Sequence, residues 1–238
     1  MKLKLSLAFI GASILLTSCP TPIPLPSNYA YIASKSSELW LIDLTGNNQD
    51  RKIGTFKDNS GSTKTMLDIA WNGTELFGFD SNNAFSKINV QNAAITSIGN
   101  IGVELNALGV DGTGQIWGAG SNNLYRINSL TGLGTLIGNT GVTASGDLIF
   151  SETGDLFLST TGNPSDQLVK LNTTNGQSTP IGSMGRTSVL GMYRVGSTTY
   201  AATESGELLT VNLMTGATTF VRNLPATVYG MNVKNTAN

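Results

Sequence analysis

A chain of 238 residues carrying 14 basic and 15 acidic side chains is of the size that one all-β domain commonly takes. Its near balance of charge excludes the clustered basic surface that nucleic acid requires. The absence of histidine and the presence of a single cysteine exclude a Ser-His or Cys-His nucleophile and the ordinary zinc or copper site.

The chain opens with Lys2 and Lys4, runs uncharged and apolar from Leu5 to Leu16, and reaches its one cysteine at Cys19. A basic start, a short apolar run and small residues before a cut describe a secretory leader over residues 1–18, too short to span a bilayer as a helix. Leu16, Thr17, Ser18 and Cys19 resemble the bacterial lipobox. That resemblance implies cleavage before Cys19 and attachment of lipid to it, which also accounts for a solitary thiol in a secreted chain. Several acyl chains anchor firmly because each buried methylene contributes about 0.8 kcal/mol. Pro20 stands where retention signals of the inner membrane carry Asp, so the resemblance favours the outer membrane, on its periplasmic or surface face, over the inner membrane.

Residues 20–28 read PTPIPLPSN and hold four of the seven prolines. An extended tether of about 3.1 Å per residue is expected there. Loss of the leader removes Lys2 and Lys4 and leaves 12 basic against 15 acidic residues.

From Tyr29 onward the chain repeats, and a fixed period of 20 to 50 residues signals a solenoid, an array or a propeller. The clearest unit is LYRINSLTGLGTLIGNTG, Leu124 to Gly141; it recurs as LWLIDLTG at Leu39, FSKINVQNA at Phe85, LVKLNTTNG at Leu168 and LLTVNLMTG at Leu208. The closing residues Asp43, Asn89, Asn128, Asn172 and Asn212 lie 46, 39, 44 and 40 apart. An Asx side chain there holds a turn by bonding backbone two residues on. The returning strand ends in Ile-Gly at Ile53, Ile98, Ile137 and Ile181, and in Val-Arg at Val221. Upstream hairpins turn at Asn72-Gly73 and Asp111-Gly112, residue types that tolerate positive φ. Each repeat is thus four antiparallel strands, and no segment after the leader carries helical periodicity.

The first copy lacks an inner strand, and Tyr229, Gly230 and Met231 match Leu190, Gly191 and Met192 of the preceding one. A composite blade of one C-terminal and three N-terminal strands would close a five-bladed β-propeller over residues 29–235, leaving 236–238 as a tail. The units resemble bacterial secreted propellers with LYxI(D/N)xxTGxxTxIG repeats, relatives by look of the YVTN and PQQ-like repeats. They lack the Trp-Asp signature of WD40 repeats and the docking tryptophans of PQQ enzymes, so neither function carries over. A tachylectin-type lectin shares only size and blade number.

Carboxylates remain for chemistry. Asp68 and Asp147 stand near the starts of two non-adjacent inner strands, where Ala107, Val189 and Val228 are read as their equivalents, and are expected near one mouth of the channel. Such a pair suits acid–base glycoside chemistry or, with backbone oxygens, calcium. Hydrogen bonding to nearby loop amides is the simpler role, since no supporting catalytic motif accompanies them. Trp117 shares its repeat position with Phe77, Phe157 and Tyr200 and is read as core between blades.

Loops joining blades, and those between second and third strands, supply further candidates: Asn82, Asn83, Asn122, Asn123 and Arg186, with Lys57, Asp58 and Asn59 in the longer loop from Thr55 to Met66. Their amides suit sugars or peptide backbones as well as solvated turns. The expected function is a monomeric, non-enzymatic binding or scaffolding lipoprotein of the cell envelope, without a cofactor or resident metal, for a protein, peptide or glycan partner. The alternative is a carboxylate-dependent glycoside hydrolase or lyase acting on surface polysaccharide.

Overall fold

The computed structural model describes residues 28–47 and 49–233; the leader, Cys19, most of the tether and the final five residues lie outside them. The described residues form twenty strands and no helix, in five sheets of four antiparallel strands. Blade II runs through β4 (Met66–Trp71), β5 (Leu76–Asp80), β6 (Ala84–Ile88) and β7 (Ile95–Asn100). Blade III is β8 (Ala107–Val110), β9 (Ile116–Gly120), β10 (Asn123–Ile127) and β11 (Gly134–Asn139). Blade IV is β12 (Ala144–Phe150), β13 (Leu156–Thr160), β14 (Gln167–Leu171) and β15 (Ser178–Ser183), and blade V is β16 (Val189–Val195), β17 (Thr198–Thr203), β18 (Glu207–Val211) and β19 (Thr218–Asn223).

Blade I is the composite. Its inner strand β20 (Val228–Asn232) pairs with β1 (Tyr29–Ser34), which is followed by β2 (Glu38–Asp43) and β3 (Arg51–Thr55). The register sets Ile32 opposite Met231 and Ala33 opposite Gly230. The inner strands follow one another around the axis as β4, β8, β12, β16, β20 and back to β4, so the ring is closed by five blades as the repeat count predicts.

The core is divided into five, one cluster at each joint between blades. Trp117 is 2% exposed at the joint of blades III and IV, in the core position read from the repeat. The Asx residues hold their turns as their chemistry dictates. Amides two residues on donate to Oδ1 of Asp43, Asn89, Asn128, Asn172 and Asn212 at 2.8–2.9 Å.

The Ile-Gly ending has a structural meaning that the repeat alone does not disclose. Its first residue is the extra residue of a β-bulge: the register passes over Ile53, Ile98, Ile137, Ile181 and Val221 and resumes on either side. The bulge turns the following glycine toward the next blade. A Cβ on Gly99, Gly138 or Gly182 would collide with the carbonyl oxygen of Thr131, Asn175 or Thr215, each in the outer turn of the blade that follows. At the seam between blades V and I the equivalent residue is Arg222. Its guanidinium donates to both oxygens of Asp50 at 2.7 and 2.8 Å and to the Asp43 carbonyl at 2.5 Å.

Two outcomes follow from this packing. Ending the chain at Leu224 removes β20, including Val228 and Met231, which are wholly buried and contribute about 1.5–3 kcal/mol each. The truncated chain should therefore lose its cooperative thermal transition, followed by circular dichroism, and an unchanged transition would refute closure by the composite blade. Gly138→Ala should destabilise by about 1–3 kcal/mol, the range for overpacking, seen as a lower urea midpoint.

Candidate functional site

The inner strand of each blade has a partner on one side only, so every second N–H along it points to the axis without a strand to accept it. Unpaired backbone donors cannot be left buried at little cost. Asp68 and Asp147 meet that need. Asp68 accepts from its neighbour Ile69 through Oδ1 at 2.7 Å and from Leu108 of blade III through Oδ2 at 2.6 Å. Asp147 accepts from Leu148 at 2.7 Å and from Met192 of blade V at 2.6 Å. The two carboxyls are close enough to act on each other electrostatically.

Strand register corrects the positions read as equivalent from the sequence. Asp68, Ala107, Gly191 and Gly230 occupy one level of the ring, with Asp147 in the same place on β12. Val189 and Val228 instead match Met66, because a bulge at the start of these strands offsets the count. Three small residues leave the room that two carboxyls fill: a Cβ on Gly230 would strike Oδ1 of Asp68. Both aspartates are wholly buried, not open at a channel mouth as expected, since five inner strands approach closely enough to shut the axis at this level.

Burial raises the pKa of both carboxyls well above the usual range, and the charge of Asp68 raises that of Asp147 further. Two anions are disfavoured at this site, so the pair holds a proton at pH values where ordinary carboxyls have lost theirs. No lysine or arginine lies on β4, β8, β12 or β20, and Arg194 near the end of β16 is the only one on that strand.

The other sequence candidates lie around the upper end of the ring, where inner strands begin. Asn82 and Asn83 form the β5–β6 turn, in which the Asn82 and Ala84 amides donate to Asp80 Oδ1. Asn122 accepts from the Thr143 hydroxyl and Asn123 from the Asn139 amide. Arg186 is ion-paired with Glu207 at 3.0 Å. In the long loop, Asp58 accepts from Ser60 and Ser62 and forms a turn, its pKa lowered chiefly by the Ser60 hydroxyl. These residues hold their own loops and do not converge on one point. Among the described residues no three Asp or Glu side chains gather where a metal ion could sit.

A cavity of about 450 Å³ opens instead at the lower end, where the inner strands finish. Its walls are Trp71, Val110, Leu148, Phe150, Tyr193 and Val233, and its rim is built from three hairpin turns carrying Asn72, Asp111 and Glu152, with Arg194 on a fourth strand. Leu148 stands directly after Asp147 in the chain, so the carboxyl pair lies behind the floor. Asn232 shapes the wall by accepting from the Trp71 amide of the next blade at 3.2 Å. The sequence reading missed this end, because its polar residues sit in turns indistinguishable from structural ones; the one signal was Arg194, an unmatched cation at the tip of an inner hairpin.

Comparison with known proteins places the fold alone. No family model matches the chain, and no curated protein does. Among solved structures, a structural-genomics protein of unknown function from Bacteroides thetaiotaomicron is 17% identical with a TM-score of 0.59; the match covers 88% of this chain and 62% of that one. The chain thus spans less than two thirds of that protein's length. A chain of the nidogen/laminin complex gives the same TM-score at 10% identity, over 87% of this chain and 98% of its own. A symmetrical protein whose de novo evolutionary emergence is shaped by folding constraints gives 0.54 at 16% identity, over 85% and 93%. The likeness to all three, each at 17% identity or less, is one of fold alone.

The shared proton has a measurable sign. The carboxyl pair in the fold holds a proton that the unfolded chain releases near pH 3.9, so the stabilisation is complete below that value and is lost as pH rises through the raised pKa. The amide introduced by Asp147→Asn is neutral at every pH. The stability gap between wild type and Asp147→Asn should therefore shrink from pH 4 to pH 8 in urea titrations; a constant gap would contradict a shared proton.

Proposed function

We propose that the chain is a lipoprotein of the cell envelope, anchored through Cys19 at the outer membrane, whose propeller binds a ligand without transforming it. The observation that carries this reading is the axial cavity at the lower end, of a volume typical for small-molecule sites. Its aromatic and aliphatic walls and polar rim match the general composition of such sites. All four oxygens of the paired aspartates on the axis are engaged with blade amides, and both residues are wholly buried. Those facts take Asp68 and Asp147 out of the role of acid and base in carboxylate hydrolysis, which needs both in contact with substrate.

The tether bears on orientation. Asn28 leads into β1 at the same end of the ring as Val233, next to the cavity. A nine-residue spacer after Cys19 reaches about 28 Å if extended, so the cavity would face the lipid across a narrow gap. Small solutes pass such a gap more readily than folded partners. Asn82, Asn83, Asn122, Asn123 and Arg186 would face outward, where a protein or glycan partner could dock.

Two experiments test this. Cys19→Ser should move the chain from the membrane to the soluble fraction and abolish incorporation of labelled palmitate; unchanged partition would refute the anchor. Gly112 lines the cavity, and a Cβ there meets nothing within 4 Å. Gly112→Trp should therefore keep the thermal midpoint while abolishing the stabilisation that a panel of saccharides and N-acetyl amino acids gives the wild type. A ligand present at 100 times its Kd contributes about 2.7 kcal/mol, or several degrees for a domain of this size.

A further inference from the structure

We propose that Arg194 is the anchor of the lower cavity and that the ligand it holds is a small molecule bearing one carboxylate, an inference that rests on reading this cavity as the recognition site. Lys35, Lys52, Lys64, Lys87, Lys170, Arg186 and Arg222 each have a carboxylate within 4 Å. Arg194 makes no ion pair among the described residues, yet it is the one cation lining the cavity.

Its guanidinium is already oriented. Nη1 donates to the Gly196 carbonyl at 2.6 Å in the β16–β17 turn, and the buried Nε finds no acceptor among the described residues. A planar fork fixed in this way loses little freedom on meeting a carboxylate, whose two oxygens match its spacing. Asp111 does not compete for it. Oδ1 of Asp111 accepts from the Thr113 and Gln115 amides and Oδ2 from the Trp117 indole, so both oxygens hold the rim in shape.

The remaining charge sets the valence of the ligand. Asp111 and Glu152 at the rim disfavour a dianion such as phosphate, whereas a monoanion places one charge on the arginine. Trp71, Leu148, Phe150 and Val233 then cover an apolar or ring-shaped body. The volume admits one such body and excludes a folded domain.

Isothermal calorimetry on the full chain tests this with glucuronate and N-acetylphenylalanine, each beside its neutral counterpart, glucose and N-acetylphenylalanine amide, and with inorganic phosphate. At least one acid should bind, its neutral counterpart about ten- to a hundredfold more weakly, the worth of a charge-assisted pair. Arg194→Gln should lose the same factor at unchanged thermal midpoint, and Arg194→Lys should recover part of it. Equal binding of acid and neutral forms, or acid binding indifferent to Arg194→Gln, overturns the carboxylate assignment while leaving the cavity as the site. Preference for phosphate, or no binding by either acid at millimolar concentration, overturns the assignment too. Acid binding that survives Gly112→Trp overturns the cavity reading itself.

Discussion

The innermost strand of every blade has no neighbour on its axial side, and its inward N–H groups must find acceptors where no sixth sheet exists. At the level of Asp68 the chain answers with two carboxyls that take four of these donors. Each carboxyl bonds its own strand and the strand of the next blade, so blades II and III are tied by Asp68 and blades IV and V by Asp147. Without them, four buried amides would be left unpaired, at about 1–3 kcal/mol each. The cost is the burial of charge, which one proton limits to a single anion. Gly191 and Gly230 belong to the same solution, because any side chain on Gly230 would occupy the space of the carboxyl.

At four of the five peripheral joints the blades are held by shape rather than charge. The bulge at each Ile-Gly removes a side chain where the next blade's outer turn presses in, and the apolar partner of that glycine fills the joint beneath. Axis and rim therefore solve opposite problems: the axis supplies acceptors to donors that converge, and the rim clears space for carbonyls that approach. A cavity opens beyond the carboxyl pair, where the inner strands finish.

The architecture was legible because its causes are periodic. Asx residues at near-constant intervals mark the turns, Ile-Gly marks the returning strand, and the match of Tyr229–Met231 to Leu190–Met192 marks the closing strand. What stayed hidden depends on departures from period. Counting back from strand starts paired Asp68 with Val189 and Val228, since a bulge leaves no trace in residue type. The burial of the two aspartates was equally hidden, because closure of the axis is set by the approach of five strands distant in sequence. Nor could the cavity be located from its residues: Asn72, Asp111 and Ser151 turn hairpins there as they would anywhere, and only the ring gathers their loops.

Arg222 stands where four other blades carry glycine, and so the ring has one joint unlike the rest. Four joints of glycine against carbonyl are interchangeable, and a chain built solely from them could pair any blade with any other or add a further copy. The clasp of Arg222 on Asp50 and the Asp43 carbonyl fits only the first blade against the last. It gives a nearly symmetric object a recognisable beginning, since the last blade meets the first through a contact that no other joint repeats.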